Sequence, residues 1–346
     1  MITRLLYMLF FVFNFSLVNG FTVDVIPENN SIINTLDPII SAQIGSFSNT
    51  STFINWDNSL VGYWNFDIGN STHAYDLSVN ENHAIFPISG NHISYSNENS
   101  VRGTYVNSSG EFRNIEIEHR DYYNLYSKNT SYSFWVKPKF LGQPIPSFIN
   151  KGNGNDIGFM IRLLGAFENI NMVVGLGGST TISLSTNSNT LSNNSWTHIT
   201  LTTNDEGNFN LYINGLLNYT NIDTYTSYNP PYNAENIELL YNEYAHLDEL
   251  MIFNRTLSEN EVRSIYNSQA NGFTFRPQDI DNLNQYNYTL YTINESGFLN
   301  ISNYNFFVNY TGVGTKSLFP SQAVSSYLIS LFLLLIFFRI TKSGRF

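Results

Sequence analysis

Cysteine is absent from the 346 residues of this chain. Its absence excludes a disulfide framework, thiol catalysis and thiolate metal sites. The 6 histidines are scattered singly and show no paired spacing of the kind that holds zinc. The sequence also lacks a phosphate-binding loop, a dinucleotide fingerprint and a nucleophile elbow. Several large classes of enzyme are therefore excluded at the outset.

Charge is scarce as well, at 12% of residues, where about 25% is usual in a globular protein. Acidic residues dominate what charge there is, giving a net charge of −11 and a pI near 4.9. Such a balance argues against nucleic acid as a partner. Apolar surface is plentiful, because 27 Phe, 23 Tyr and 4 Trp can supply a folded core.

The first 20 residues have the pattern of a secretory signal peptide. A single cation, Arg4, precedes the apolar stretch 5–13, and small and polar residues follow up to Gly20. A buried N-terminal helix is the alternative. The pattern predicts export, with cleavage near residue 20.

A second apolar segment, residues 317–338, contains no charged residue. Twenty-two residues at 1.5 Å each suffice to cross a hydrocarbon core of ~30 Å. The following tail, residues 339–346, carries three cations, which predicts that this end is cytoplasmic. We therefore expect a single-pass protein of a cell surface or viral envelope, with its N-terminal part outside. A buried core helix is the alternative interpretation.

The exported part is strongly acidic and rich in glycosylation sequons. Without Arg4 and the three cations of the tail, 12 Lys and Arg face 27 Asp and Glu, a balance of −15. Asn-x-Ser/Thr sequons are typical of exported surface proteins, although some must arise by chance in so Asn-rich a chain. The glycosylation candidates are Asn107, Asn129, Asn193, Asn218, Asn254, Asn287, Asn294, Asn300 and Asn309.

Alternation of apolar and polar residues with a period of two recurs from residue 21 to residue 310, with turn signals at short intervals. This pattern predicts an all-β sandwich or barrel. Asn214-Gly215 predicts a hairpin turn, since both residues tolerate positive φ. Ser258 and Glu261 form a capping box, which predicts one helix with Val262, Ile265 and Tyr266 on one face.

Four blocks of sequence carry a family resemblance. They are Leu60-Val-Gly-Tyr-Trp-Asn-Phe-Asp67, Ser131-Tyr-Ser-Phe-Trp-Val-Lys-Pro138, Asn194-Ser-Trp-Thr-His-Ile-Thr-Leu-Thr202 with Leu211-Tyr-Ile-Asn-Gly215, and His246-Leu-Asp-Glu-Leu-Met-Ile-Phe-Asn-Arg-Thr-Leu-Ser258. In this order they resemble the laminin-G-like domains of the concanavalin A-like lectin-glucanase superfamily. The resemblance implies a two-sheet antiparallel jelly roll of roughly a dozen strands over residues 56–271. It also implies a recognition module that binds carbohydrate or protein, in some members with calcium.

The two flanking segments, residues 21–55 and 272–316, also alternate like strands, and neither can bury a core alone. The run Tyr286-Asn-Tyr-Thr-Leu-Tyr-Thr-Ile-Asn-Glu-Ser-Gly297 in the second segment is similar to the last strands of immunoglobulin-like surface modules. One hypothesis is that the two segments pair into a small immunoglobulin-like sandwich with the jelly roll inserted between them. The other is that they form two independent stalks.

A turn at residues 76–82 presents oxygen-bearing side chains at alternate positions, including Asp76, Asn80 and Asn82. Calcium requires six to eight hard oxygen ligands, so these residues are candidate metal ligands. The resemblance adds Asp248, which the family places near this turn, with Asp67 as a weaker candidate. The alternative is that Asp76 and Asn80 only form the turn through hydrogen bonds to their own backbone.

The run Glu116-Ile-Glu-His-Arg-Asp121 is similar to a glycosidase strand, because residues i and i+2 of a strand point to the same face. Each acid after the first is replaced by its homologue, so we expect an ordinary strand with Ile115 and Ile117 facing the core. Three tryptophans, Trp64, Trp135 and Trp196, are predicted to pack in the core rather than stack on sugars. The sequence thus favours a recognition or adhesion protein without catalytic residues. The alternatives are a structural surface-layer, envelope or virion-coat component and, less favoured, a glycan hydrolase.

Overall fold

The computed structural model of the chain describes residues 22–311, with gaps at 46–50, 56, 88–92, 99, 102, 109–113, 126–128, 140–146, 154–156, 165–168, 177–180, 188–189, 206, 222–232, 242–244, 268–271, 276–279 and 294–298. The predicted signal peptide, membrane span and basic tail lie outside the described residues. Within the described ranges, none of the helices has the length and apolar character that crossing a bilayer requires.

Two large antiparallel sheets make up most of the described chain. In spatial order, the first sheet consists of β15 (Thr181–Ser185), β14 (Asn169–Leu176), β13 (Ile157–Leu164), β12 (Ser147–Asn153), β19 (Ile237–Tyr241), β10 (Ile115–Ile117), β7 (Ala84–Ile85) and β6 (His73–Ala74). The second sheet consists of β18 (Leu216–Asn221), β17 (Phe209–Ile213), β16 (Thr197–Thr203), β11 (Thr130–Pro138), β20 (Ala245–Phe253), β9 (Tyr105–Ser108) and β8 (Ile93–Ser96), and β5 (Leu60–Trp64) pairs with β20.

The core between these sheets follows from the alternation of side chains along each strand. In the first sheet the register aligns Ile115, Leu239, Ile149, Ile161 and Met172 in one transverse row, and all five are fully buried. Because successive residues point to opposite faces, their neighbours along the strands form the outer face of the sheet. The inner face of the second sheet contributes Tyr132, Phe134, Val136, Ile199, Leu201 and Leu247 to the same core.

The structure is mostly β and consistent with the predicted jelly roll, and Ile115 and Ile117 face the core as expected. Sixteen described strands, several of them very short, stand in the two sheets where about a dozen were expected. The hairpin between β17 and β18 turns at Asn214 (φ 49°) and Gly215 (φ 76°).

One helix, α1 (Glu259–Asn267), begins at the predicted capping box. The Ser258 backbone N–H donates to Glu261 Oε2 at 2.9 Å, and the Glu261 N–H donates to Ser258 Oγ at 3.4 Å. Val262 and Ile265 are buried. A 3₁₀ turn spans Asp121–Tyr123.

The flanking segments form two smaller sheets. A three-stranded sheet has the order β1 (Thr22–Ile26), β3 (Ile40–Gly45), β21 (Gly272–Phe275), and a four-stranded sheet has the order β2 (Ser31–Ile33), β23 (Leu299–Val308), β22 (Gln285–Ile293), β4 (Ser51–Asn55). β4 pairs antiparallel with β22, and β2 pairs parallel with β23, so the N-terminal and C-terminal segments share both sheets. The hypothesis that the two flanking segments form one small sandwich requires this pairing. The boundaries of the domains stay a prediction. In the C-terminal segment, β23 runs without a break over ten residues.

The small sheets pack on the outer face of the second large sheet. The four-stranded sheet contacts the second sheet through aromatic pairs: Phe53 meets Phe253 with ring centroids 5.7 Å apart, and Tyr291 meets Tyr63 with centroids 5.6 Å apart. Val262 of α1 joins the same buried cluster. The flanking module therefore shares a hydrophobic core with the jelly roll, and the exposed residues of the first sheet lie on the opposite side of the molecule.

Candidate functional site

A transverse row of side chains crosses the outer face of the first sheet. The register places Glu116 of β10 opposite Glu238 of β19, Glu238 opposite Asn150 of β12, and Asn150 opposite Met160 of β13. Glu116 is exposed and the other three are half-buried. These residues alternate with the buried apolar row of the core, so the same periodicity that builds the core also aligns them.

The row forms part of a groove with a volume of about 590 Å³. A groove of this size falls within the range of small-molecule sites in proteins, ~300–1,000 Å³. Its lining consists of Glu116, Asn150, Gly152, Met160, Glu235, Asn236 and Glu238.

Side-chain amides compensate the facing carboxylates of this groove. Like charges directly opposite on neighbouring strands destabilise a sheet. Glu238 accepts hydrogen bonds from Asn114 Nδ2 at 2.6 Å and from Asn150 Nδ2 at 2.8 Å, and Glu116 accepts a long one of 3.4 Å from Asn236 Nδ2. Asn150 Oδ1 is buried and has no partner among the described residues. The groove is therefore rich in hydrogen-bond acceptors.

A buried lysine supports one wall of the groove. Lys151 is fully buried, and its Nζ donates to the backbone carbonyl of Glu235 and to His119 Nδ1 at 2.9 Å. His119 Nε2 in turn lies 3.1 Å from Asp121 Oδ1. Burial lowers the pKa of Lys151 to about 8, against the opposing effect of the Glu235 and Asp121 charges. These contacts hold the segment that contains Glu235 against β12, through Lys151, and against the residues that follow β10, through His119.

Part of the predicted glycosidase-like run lies in the groove. Glu116 lines it, whereas Glu118 pairs with Arg120 at 3.1 Å and Asp121 contacts His119. The sequence reasoning missed Glu238 and Asn150. The alternation around Glu238 could have identified an outward-facing acid, but only the register with β10 places it against Glu116.

The predicted calcium turn is closed by hydrogen bonds. Asp76 Oδ1 accepts from the backbone N–H groups of Tyr63 and Ser78, and Oδ2 accepts from Ser78 Oγ and the Asn82 N–H, all at 2.9 Å. Burial raises the pKa of Asp76, and these hydrogen bonds oppose the rise. Both carboxylate oxygens are thus occupied by donors of the protein itself.

The other proposed ligands also have protein partners. Asn80 Nδ2 donates to the Val61 carbonyl, Asn82 Nδ2 donates to the Glu118 carbonyl, and buried Asp248 accepts from the Glu249 N–H. Among the described residues, no group of three or more His, Asp and Glu side chains could hold a metal ion. The side chains fit a hydrogen-bonded turn better than a cation site. Calcium binding stays a prediction.

The predicted glycosylation sites are mostly accessible. Asn107 is half-buried, Asn294 lies outside the described residues, and the remaining candidates, Asn129, Asn193, Asn218, Asn254, Asn287, Asn300 and Asn309, are exposed. Exposure is compatible with modification, and glycosylation stays a prediction.

Two of the three tryptophans are buried as predicted, with Trp64 at 0% and Trp135 at 9% exposure. Trp196 differs, because it is only half-buried.

Comparison with known proteins supports the fold. Residues 109–263 match the sequence model of the Concanavalin A-like lectin/glucanases superfamily, which confirms the laminin-G-like resemblance. Botulinum neurotoxin type E of Clostridium butyricum is 26% identical over 278 residues, covering 70% of this chain and 20% of the toxin. The chain thus spans about a fifth of the length of that curated relative.

Two solved structures are similar in fold. The binding domain of Paraclostridial Mosquitocidal Protein 1 has a TM-score of 0.50 and 23% identity, over 61% of this chain and 52% of that one. The Botulinum Neurotoxin Type G receptor binding domain has a TM-score of 0.47 and 20% identity, over 61% of this chain and 51% of that one. The likeness to the first of these structures is one of fold, and this chain spans about half the length of each.

Proposed function

We propose that the protein is a single-pass surface recognition protein that binds a carbohydrate in the groove across the first sheet, without catalysis. The observation that carries the proposal is the groove of about 590 Å³, whose lining converges from strands β10, β12 and β19. The laminin-G-like family match supports a recognition module, and the apolar segment 317–338 supports anchoring.

The polarity of the groove supports a sugar as ligand. Three carboxylates, Glu116, Glu235 and Glu238, line it together with the unpartnered Asn150 Oδ1. A ligand with many hydroxyl donors satisfies such acceptors, and Met160 offers an apolar contact for a ring face. A protein ligand presenting donor side chains would use the same groups.

The proposal is tested with the full chain in detergent on a glycan array. We expect Glu116→Gln and Asn150→Ala to weaken binding of any bound glycan at least fivefold, since each removes an acceptor from the groove. Glu259→Gln, on α1 and away from the groove, is the matched control and should bind like the wild type. Binding that is unchanged in both groove variants would exclude the groove as the site.

A structural role in a surface layer, envelope or virion coat is a second candidate. The terminal strand of the second sheet, β18, exposes Leu216 by 59%, Leu217 by 46% and Tyr219 by 37%. Exposed apolar edge strands favour pairing with another chain. If the role is structural, the chain should self-associate in sedimentation experiments and Leu217→Lys should abolish the association. A monomer at all concentrations would rule it out.

A further inference from the structure

A second cluster of polar and aromatic side chains lies on the outer face of the second sheet, which we call the cationic patch. It consists of Lys137 and Lys139 of the β11 end, His246 of β20, Asn107 and Tyr105 of β9, and Trp196 before β16. The register places Lys137 opposite His246, and His246 opposite Asn107. The patch is separate from the groove, which belongs to the first sheet.

The ammonium group of Lys137 lies against two aromatic rings. Lys137 Nζ lies 5.3 Å from the ring centroid of Trp196 and 5.5 Å from that of Tyr105. The His246 ring meets Tyr105 edge to face, with centroids 4.5 Å apart. Trp196 is half-buried, so part of its indole remains open to solvent. Aromatic surface of this kind can stack against the apolar face of a sugar ring.

Among the described residues, the two lysines of the patch have no carboxylate partner at contact distance. Five ion pairs occur among the described residues, and none includes Lys137 or Lys139. Burial lowers the pKa of both lysines; Lys137 further lowers that of Lys139, while Glu98 opposes the effect on Lys137. Lys137 is 5% exposed, whereas Lys139 is half-buried and partly open to solvent. Together they favour an anion.

The remaining polar groups also favour a ligand that accepts hydrogen bonds. Lys139 Nζ donates to Asn107 Oδ1 at 2.9 Å, which orients the Asn107 amide with its Nδ2 as a further donor. His246 is 3% exposed, and its Nδ1 has no partner among the described residues. A buried polar atom without a hydrogen bond lowers the stability of the fold, unless a ligand, a water molecule or a residue outside the described ranges bonds to it.

We infer that the cationic patch binds an acidic sugar, with its carboxylate or sulfate at the Lys139 ammonium group and its ring against Trp196. The anion pairs with Lys139, the buried Lys137 adds positive charge beside it, and the ring covers the open part of the indole. This site is independent of the groove: it attracts anions through donors, whereas the groove presents acceptors.

The test uses the full chain in detergent, produced without N-glycosylation because Asn107 is itself a sequon. Trigalacturonate is the carboxylated probe, a sulfated galactose trisaccharide is the sulfated probe, and neutral trigalactose is the reference, all measured by calorimetry. We expect at least one acidic probe to bind at least tenfold more tightly than the neutral sugar. Lys139→Gln should lower that affinity about tenfold and reduce its dependence on salt, and Lys139→Arg should restore both.

Arg263→Gln, on α1, removes an exposed cation elsewhere and is the matched control. Glu116→Gln should not weaken binding of the acidic probe, which separates this inference from the groove proposal. Equal affinity for acidic and neutral sugars, or an unchanged affinity in Lys139→Gln, would overturn the inference. If inorganic sulfate binds as tightly as the acidic sugars, the proposed contact between the sugar ring and Trp196 is likewise overturned.

Discussion

Acid should destabilise the fold through His198, a buried histidine of β16. It is 1% exposed, and its Nε2 lies 2.9 Å from Ser133 Oγ. Its ring lies beside Trp135 and Tyr266, at centroid distances of 5.0 and 5.7 Å, and its Nδ1 has no partner among the described residues. Burial lowers the pKa of His198 from 6.5 to about 3. The folded state therefore keeps the ring neutral where the unfolded chain takes up a proton.

The magnitude follows from this difference in pKa. A group with a lowered pKa in the folded state contributes full stability above the unfolded value, and this is lost as the pH falls below about 6.5. Each pKa unit corresponds to about 1.4 kcal/mol, so the loss at pH 5 is about 2 kcal/mol. Asp67 opposes it, because burial raises its pKa to about 6 and its protonation in the folded state stabilises the fold as the pH falls.

Comparing the wild type with a variant that lacks the imidazole isolates the contribution of His198 to the pH dependence of stability. The free energy of unfolding in urea is measured for the wild type and for His198→Phe, at pH 7.5 and pH 5, with the full chain in detergent. We expect the wild type to lose about 2 kcal/mol more than the variant between these pH values. Ile199→Val, the neighbouring buried residue, should cost about 1 kcal/mol at both pH values and is the control. The same pH dependence in wild type and His198→Phe would refute the reasoning.

Three further changes test the turns and the shared core. Gly215→Ala should cost about 1–2 kcal/mol in urea unfolding, because φ is +76° and the added Cβ would lie 2.9 Å from Tyr266 Cδ1. Asp76→Ala should cost about 3 kcal/mol or more, since it leaves three buried N–H groups without their acceptor. Millimolar calcium that raises the melting temperature of the wild type would support the metal prediction, and an unchanged temperature would contradict it. Phe306→Ala should cost about 3–5 kcal/mol and keep a single unfolding transition, whereas two separate transitions would show that the flanking sheets unfold independently of the jelly roll.

Local patterns in the sequence predicted local structure well. The capping box at Ser258 and Glu261, the hairpin at Asn214 and the inward side chains of β10 depend on residues a few positions apart. Side-chain spacing fixes such features because a strand alternates every two residues and a helix every 3.6. The four sequence blocks that resemble laminin-G-like domains extended the prediction to the order of the main strands along the chain.

The candidate sites could not be predicted in the same way. Glu116 and Glu238 are 122 positions apart, and Lys137, Trp196 and His246 come from three distant segments of the chain. A one-residue change of register would move any of these side chains to the opposite face. The sequence of Asp76 to Asn82 suggested metal ligands because it shows oxygen atoms and not the backbone donors, such as the Tyr63 N–H, that reach them.

The amino-acid sequence alone therefore determined the all-β class, the strand and helix signals, the acidic character and the apolar segments at both ends. Only the tertiary structure decided that residues 51–55 pair with 289–293, that the flanking sheets share a core with the jelly roll, and that acceptors and donors collect on different sheets. The physical reason is the range of the interactions. Turn and capping preferences act between neighbours, whereas strand register and packing depend on surface buried between distant segments.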